Sequence, residues 1–332
     1  MTQEGTKEKM LYQVWKGNNR FLFGGRLIIG SDVKGLFLSI LLIVGPATAF
    51  CVQVNSIIAH KIEEHQDAGY WYLVLIIGVV LTVMALIFLF LTSSTEPGVI
   101  PRRSKPTGFD EDPDISTPFT EGHDKTSNKN LPKWKNVIVN GHTIMVKYCD
   151  TCLLYRPPRA SHCSICNNCV QKYDHHCEWL GQCIGLRNFR FFYFFISTLT
   201  ILSVYIFIIS WIKLRQHGGG LGKAIQQDIV SDVLIVYCSI AGLCVGCLTT
   251  FHFSMICINQ TTHENLRRQR GKEDNPYNKG ILHNFKEVFF HNIPPSLVDF
   301  RSIVHEKENA LSMKTNPPNP KGSINISNEK IE

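Results

Sequence analysis

Charged side chains are nearly absent from four stretches of this 332-residue chain, although 18% of all its residues are charged. The stretches are Leu36–Val54, Tyr70–Leu91, Phe191–Ile212 and Val233–Ile258. About 20 helical residues span a hydrocarbon core of roughly 30 Å, and each stretch is long enough to do so. Helices in the core of soluble proteins are usually shorter and amphipathic, so they are a poor explanation for these runs. The missing charge therefore predicts four transmembrane helices.

A cleavable signal peptide is also missing, because residues 1–32 contain scattered lysines and arginines but no apolar stretch long enough for one. We expect the first span to insert uncleaved. Four spans place both termini on one side of the membrane. Most of the 34 basic residues precede the first span, lie between the second and third spans, or follow the fourth, whereas Lys61 is the only one in residues 59–69. The positive-inside rule then predicts cytosolic termini and a cytosolic middle loop.

The chain has 12 cysteines, and they are concentrated in that middle loop. The loop contains Cys149, Cys152, Cys163, Cys166, Cys169, Cys177 and Cys183. Because the cytosol is reducing, metal binding or thiol chemistry is a better explanation for this cluster than a disulfide framework.

The composition divides the chain into successive regions. We predict a cytosolic N-terminal segment (1–35), transmembrane helices 1 and 2 (36–92), a flexible cytosolic linker (93–136), a zinc-binding cysteine-rich domain (137–188), transmembrane helices 3 and 4 (189–258), a cytosolic C-terminal region (259–306) and a disordered tail (307–332). Asn140-Gly141 between two β-branched runs predicts a hairpin that leads into the cysteines. The four spans predict the fold class, an all-α integral membrane protein with this domain between spans 2 and 3.

The cysteine spacing is typical of zinc sites, since zinc prefers four tetrahedral nitrogen or sulfur ligands. Two residues separate the cysteines in three pairs, namely Cys149 with Cys152, Cys163 with Cys166, and Cys166 with Cys169. If one cysteine is reserved for chemistry, the other six, His162 and one more histidine are enough for two closed sites. A single zinc finger with incidental cysteines is the alternative.

Asp174-His175-His176-Cys177 places a carboxylate, two imidazoles and a thiol in a row. In an extended segment, alternate residues share a side, so His175 and Cys177 face together while His176 turns towards a metal. Asp174 would then orient His175, and His175 would deprotonate Cys177. A free thiol has a pKa of about 8.5, so such a base enriches the reactive thiolate. The alternative is that Cys177 is one more zinc ligand.

This thiol lies shortly before the apolar run that begins at Phe191, and hence close to the membrane surface. Burial of each CH2 contributes about 0.8 kcal/mol, so drawing a 16-carbon chain into water would cost on the order of 10 kcal/mol. An enzyme that handles such chains should place its nucleophile at the interface, as this chain does.

The block from Cys149 to Cys183 resembles the cysteine-rich domain of the DHHC family of protein S-acyltransferases. Thr261-Thr262-His263-Glu264 is similar to the family's Thr-Thr-x-Glu motif, and the segment from Asn275 to Asn284 is similar to its tail motif. Gly24-Gly25-Arg26 and the preceding Trp15-Lys16-Gly17-Asn18-Asn19 resemble the plant branch. One departure is Glu96-Pro97-Gly98, where the family usually has Asp-Pro-Gly; we do not expect it to abolish activity.

The resemblance implies two interleaved structural Zn²⁺ sites. One would be formed by Cys149, Cys152, His162 and Cys169, and the other by Cys163, Cys166, His176 and Cys183. It also implies that Cys177 takes a long-chain acyl group, palmitoyl above all, from acyl-CoA and passes it to substrate proteins with membrane-proximal cysteines at the cytosolic face. His175 would be the base and Asp174 its orienter. Thr262 would lie beside the active site and support Asp174, and Asn284 would help to seat the tail against the last spans.

Other functions fit part of this pattern, namely a zinc-dependent membrane scaffold and a RING-type ubiquitin ligase. A RING ligase does not need a free cysteine after two histidines, and thioester labelling would separate the enzyme from the scaffold. The expected partners are the lipid bilayer, acyl-CoA and protein substrates, with no nucleic acid. The expected location is the endomembrane system, at the Golgi, vacuolar or plasma membrane.

Two further interpretations concern polar side chains. Arg156, Arg159, Lys172 and Arg187 form a basic patch that attracts CoA phosphates or anionic lipid head groups, or is simply solvated. His252, inside the fourth span, is expected to form a local hydrogen bond with Thr249, Thr250 or Ser254.

Overall fold

The computed structural model describes residues 8–104, 132–216, 228–268 and 275–304. Its largest elements are four helices: α1 (Val33–Glu63), α2 (Gly69–Ser94), α3 (Phe189–Gln216) and α4 (Ile229–Cys257). All four are long and apolar enough to cross a membrane, with mean hydropathy between 2.1 and 3.2 in their most apolar windows. The four predicted spans are confirmed, and each helix begins before its predicted start.

The helices pack through a narrow inner face and leave most of their apolar side chains pointing outward. Phe50 of α1 and Phe192 of α3 are buried, whereas Leu41 and Leu243 are exposed by 66% and 69%. Such an apolar outer surface fits hydrocarbon and not water. This is the surface of a multi-pass membrane protein.

Short antiparallel strands occur in the described parts of the region between α2 and α3, before α1, and near residue 303. They are β1 (Lys9–Met10), β2 (Arg20–Leu22), β3 (Leu27–Ile29), β4 (Trp134–Val139), β5 (His142–Cys149), β6 (Leu154–Tyr155), β7 (Ser161–Cys163), β8 (Asn168–Val170), β9 (His175–Cys177), β10 (Gln182–Ile184) and β11 (Ile303–Val304). The pairs are β2–β3, β4–β5–β6, β7–β8, β9–β10 and β1–β11. The prediction of an all-α fold is therefore only approximate. Most of these strands contain two or three residues, too few to leave a period-two pattern in the sequence.

The predicted hairpin is confirmed by the pairing of β4 with β5 around Asn140 and Gly141. Both turn residues have positive φ, 49° and 79°, as a type I′ turn requires. Val137 and Val146 are buried whereas Ile138 and Met145 are exposed, so one face of the hairpin is packed and the other is open.

The linker predicted for residues 93–136 does not begin at 93. Val99 and Ile100 are buried, and Val99 bridges Val170 while the Ile100 amide donates to the Cys169 carbonyl at 2.8 Å. The sequence signal missed this because proline and polar residues dominate the segment, whereas its few apolar residues are packed. Residues 105–131 of the predicted linker and the predicted disordered tail lie outside the described residues, whereas the linker's last three residues belong to β4.

The N-terminal segment is folded against two other parts of the chain. β1 pairs with β11, and Trp15 packs edge-on against Phe300 with ring centroids 4.9 Å apart. The Asn18 amide donates to the Cys166 carbonyl at 2.9 Å. This segment thus joins the C-terminal region to the cysteine-rich domain.

In the described residues beyond α4, the chain forms two short helices. They are α5 (Thr262–Arg268) and α6 (Ile281–Phe289). Phe289 of α6 contacts Tyr193 and Phe194 of α3 at ring-centroid distances of 5.5 and 5.4 Å. Asn284 is fully buried, and its amide group donates to the Cys257 carbonyl at 2.8 Å. The C-terminal region is therefore held against the ends of α3 and α4.

Candidate functional site

Two compact Cys/His clusters organise the cysteine-rich domain. They consist of Cys149, Cys152, His162 and Cys169, and of Cys163, Cys166, His176 and Cys183. Within each cluster the ligand atoms lie within 4.8 Å of one another. The sets interleave along the chain, because the neighbours His162 and Cys163 belong to different clusters.

The strand register explains how each cluster closes. In β7–β8, His162 lies opposite Cys169, and in β9–β10, His176 lies opposite Cys183. Each histidine turns its Nδ1 towards the thiols, 3.5 and 3.7 Å from sulfur in the first cluster and 3.4 to 3.7 Å in the second. Ideal tetrahedral zinc geometry places sulfur and nitrogen ligands about 3.6 Å apart. Both clusters therefore fit a tetrahedrally coordinated metal ion such as zinc.

The electrostatics of the clusters also favour metal binding. Hydrogen bonds from Cys152 and Cys169 lower the pKa of Cys149, and those from Cys166 and Cys183 lower the pKa of Cys163. The thiolate is the form of cysteine that binds metal. The same hydrogen bonds raise the pKa values of Cys169 and Cys183, so a bound cation would be needed to hold all three sulfurs of a cluster as thiolates.

Asp174 and His175 form a closely bonded pair at the start of β9. The carboxylate is buried, with 2% of the residue exposed, and its Oδ2 lies 2.7 Å from His175 Nδ1. Its other oxygen accepts the backbone N–H of Thr262 at 2.8 Å. Although burial opposes its ionised form, the bond to His175 and the nearby positive charge hold the pKa of Asp174 below its usual value. Although burial also opposes the imidazolium, hydrogen bonds to Asp174 and Cys177 raise the pKa of His175 to about 9.

Cys177 ends the same strand on the side that His175 faces. It is half-buried and packs against the apolar cluster of the membrane helices, which includes Phe192, as do Leu36 and Phe189. It belongs to neither four-ligand cluster, whereas His176 faces the second one. The structure thus brings together Asp174, His175 and Cys177, with the thiol directed towards the span ends.

The turn after Cys177 approaches α1 very closely. The Ser39 hydroxyl donates to the Trp179 carbonyl at 2.8 Å. A Cβ atom on Gly35 would collide with the Glu178 carbonyl, and one on Gly181, at φ 62°, would collide with the Asp32 carbonyl. These glycines let the strand of the thiol lie directly on the start of the first span.

Helix α5 is fixed to the cysteine-rich domain by Arg159. The guanidinium binds both Glu264 oxygens, at 2.8 and 2.9 Å, and lies over the Tyr277 ring at 4.3 Å. Glu264 also accepts the Thr261 amide at 2.8 Å while the Thr261 hydroxyl accepts the Glu264 amide at 3.2 Å. This reciprocal capping presents the next amide, that of Thr262, to Asp174. Support for Asp174 from Thr262 was predicted, but it comes from the main chain.

The predicted basic patch is largely neutralised within the protein. Arg159 is paired with Glu264, Lys172 lies 3.1 Å from Glu287, and Arg187 lies 2.5 Å from Glu96. Each of these carboxylates comes from a distant segment, which no local pattern in the sequence could show. The patch thus joins segments together, and three of its four charges are not left free for phosphate groups.

The interpretation of His252 is wrong. Thr249, Thr250 and Ser254 each donate a hydroxyl proton to a carbonyl of their own helix, at 2.9, 2.9 and 3.0 Å. The His252 ring instead faces His175, with 5.8 Å between centroids. The contact of His252 with the Asp174–His175 pair joins distant parts of the chain and leaves no local signal in the sequence.

Comparison with known proteins identifies the family. A family model described as DHHC palmitoyltransferase matches residues 142–269. "Probable protein S-acyltransferase 3" of Arabidopsis thaliana is 50% identical over 90% of this chain and 71% of its own length. "Probable protein S-acyltransferase 1" of the same plant is 47% identical over 94% and 91%, and "Protein S-acyltransferase 8" is 44% identical over 90% and 73%. The chain belongs to the DHHC palmitoyltransferase family.

Proposed function

We propose that this chain is a protein S-acyltransferase that moves a long-chain acyl group, palmitoyl in the first instance, from acyl-CoA to cysteines of membrane-associated proteins. Membership of the family and the names of its relatives support the activity. Cys177 is the residue that carries the acyl group. The observation that supports this assignment best is its position beside the Asp174–His175 pair and outside both metal clusters.

The geometry supports a two-step reaction. Because Asp174 accepts from Nδ1 of His175, Nε2 is the nitrogen left to take the proton of the Cys177 thiol. The thiolate attacks the acyl-CoA carbonyl carbon, the bond to the CoA sulfur breaks, and His175 returns the proton to the departing CoA. In the second step His175 takes the proton of a substrate cysteine, whose sulfur attacks the Cys177 thioester. Cys177 then leaves and recovers the proton.

The position of Cys177 against the membrane helices suits an acyl chain. A chain that stays among apolar side chains avoids an exposure that would cost about 0.8 kcal/mol for each CH2. The acyl-enzyme would therefore hold its carbonyl at the interface and its hydrocarbon in the bilayer. The same position restricts substrates to proteins whose cysteine reaches the membrane surface.

The two Cys/His clusters would hold two structural Zn²⁺ ions. Each offers three sulfur ligands and one nitrogen, and no ligand position is left for a reacting molecule. Zinc there would supply folding free energy and fix β9, which carries His175 and Cys177. The catalytic steps belong to Asp174, His175 and Cys177.

The distribution of lysine and arginine supports cytosolic termini and a cytosolic active site. An acyl-CoA donor and protein substrates would then reach Cys177 from the cytosol. The proposed location is a membrane of the endomembrane system, such as the Golgi, vacuolar or plasma membrane. The division of the chain into an N-terminal segment, two pairs of spans, the cysteine-rich domain and a C-terminal region is part of this proposal.

The proposal is tested by incubating the purified protein with labelled palmitoyl-CoA. The wild type should acquire label that neutral hydroxylamine removes, because hydroxylamine cleaves thioesters. Cys177→Ser should acquire none yet retain its metal, and the control Cys247→Ser, at an exposed position in the fourth span, should label normally. A wild type without label would favour the membrane scaffold.

A further inference from the structure

His252 is a polar side chain buried among aromatic rings in the fourth span. Only 1% of the residue is exposed, and its ring lies 5.0 Å from Phe192, 5.3 Å from Phe251 and 6.0 Å from Phe189. Its Nδ1 is buried and has no hydrogen-bond partner in the described part of the chain. Buried polar atoms are nearly always hydrogen-bonded, and polar groups within a membrane span are costly. A phenyl ring would fill this position without that cost.

The side chain is aimed at the catalytic pair. One His252 ring nitrogen lies within 4.8 Å of ligand atoms of both Asp174 and His175. This distance is too long for a hydrogen bond, but catalytic hydrogen bonds are often long before substrate binds and tighten in the complex. Each Asp174 oxygen has a partner, Thr262 or His175, but a carboxylate oxygen can accept a second bond. His252 therefore places a further potential donor beside a buried carboxylate.

We propose that His252 is a positioning residue for acyl transfer. Its imidazole N–H is directed at the Asp174 carboxylate. The rings of His252 and Phe192 both contact the His175 ring and confine it. Both contacts keep His175 Nε2 towards Cys177. Because His252 acts through the pair, it affects the rate of acylation and not the affinity for acyl-CoA. This inference rests on the proposed function.

Two variants distinguish this proposal from the alternative that the His252 ring only fills space. His252→Phe keeps an aromatic ring among Phe189, Phe192 and Phe251 but removes the donor. His252→Asn keeps a neutral N–H near the position of Nδ1 but removes the ring. The matched control is Thr250→Val, because Thr250 lies on an exposed face of the same helix and bonds only its own helix.

The experiment measures single-turnover acylation of Cys177 against palmitoyl-CoA concentration, together with zinc content and thermal midpoint. His252→Phe should lower the saturating rate at least about tenfold, a smaller loss than the roughly 10²- to 10⁴-fold contributed by a group that itself transfers the proton. The half-saturating concentration, zinc content and midpoint should not change. His252→Asn should recover most of the rate, and Thr250→Val should match the wild type. The proposal would be overturned if His252→Phe acylated at the wild-type rate. It would also be overturned if His252→Asn were as slow as His252→Phe.

A double-mutant cycle separates positioning from packing. If His252 acts through Asp174, His252→Phe should have little further effect in an Asp174→Asn background. Multiplicative losses would show that the two side chains act independently and would reject the inference. Loss of a third equivalent of bound metal on substitution of His252 would also reject it, since the three residues would then be ligands. A wild type that forms no thioester would instead reject the proposed function itself.

Discussion

Nδ1 of His175 lies 2.7 Å from Oδ2 of Asp174, and this bond fixes which imidazole nitrogen remains for Cys177. The two residues are neighbours in sequence, yet the carboxylate is held from the opposite side by the amide of Thr262. The orientation of the His175 ring therefore depends on the docking of α5 against the cysteine-rich domain. The two Cys/His clusters, the Asp174–His175 pair and the C-terminal region form one connected structure.

Removing the Asp174 carboxylate should abolish most of the activity without unfolding the domain. An asparagine at 174 has nearly the same shape but favours the wrong tautomer of His175, and comparable changes in catalytic triads lower the rate about 10⁴-fold. We expect a fall in Cys177 acylation of about 10³- to 10⁴-fold. Metal analysis should show unchanged zinc, and simultaneous loss of zinc would contradict the assigned role.

The two adjacent histidines should respond differently to substitution. His175→Ala should keep its zinc but acylate slowly, and raising the pH should restore part of the rate by supplying thiolate without the base. His176→Ala removes a ligand of the second cluster, so zinc content and stability should fall together with activity at every pH. The reverse pattern, with zinc lost from His175→Ala alone, would invert the two assignments.

The pH dependence of the intact site follows from the raised pKa of His175. This pKa lies near 9, above the 6.5 of an unperturbed histidine. A group with a raised pKa stabilises the folded state fully below about pH 6.5, and this contribution is lost as the pH rises through 9. We expect Asp174→Asn to remove this dependence from unfolding curves recorded between pH 6 and 10. An unchanged difference between wild type and variant across that range would contradict the pairing.

The sequence predicts the spans well because a long uncharged run is a strong local signal. The spacing of the cysteines predicts zinc binding, but only the family resemblance assigns the ligands to two sets, because several pairings satisfy the same spacing. The structure gathers those two sets through strand pairing, as for His176 with Cys183. The alternation of apolar and polar residues could not reveal these strands, because three residues are too few to show it.

The contacts that the sequence did not reveal join residues far apart in the chain. Asn18 binds the Ile165 carbonyl across 147 positions, and Arg187 binds Glu96 across 91. In a single sequence, such a pair is two polar residues with no visible relation. The same reason explains His252, whose relevant neighbours belong to β9 and not to its own helix.

Asn284 should contribute to stability before it contributes to chemistry. Its side chain is buried and bonded to Cys257, Asn278 and Lys279 at 2.8, 2.8 and 3.0 Å. Asn284→Ala leaves these buried groups without partners, at about 1–3 kcal/mol for each one that water cannot reach. The thermal midpoint in detergent should fall clearly, whereas that of the exposed neighbour His283→Ala should not. Normal stability with no acylation would instead place Asn284 in the reaction.

Glu96 is the departure from the family's usual aspartate, and its carboxylate joins three segments. One oxygen accepts the amides of Gly98 and Val99, and the other binds Arg187 at 2.5 Å and the Ser296 hydroxyl at 3.0 Å.

Glu96→Ala leaves the Arg187 charge without its partner, so we expect a loss of about 3 kcal/mol of stability. Glu96→Asp keeps a carboxylate within reach of the two amides, as in an Asx turn, and should cost less than Glu96→Ala. Thermal midpoints and acylation rates of both variants test this order. An aspartate variant that is stable but inactive would show that the extra methylene serves catalysis, whereas the structure assigns it to holding Arg187 and Ser296.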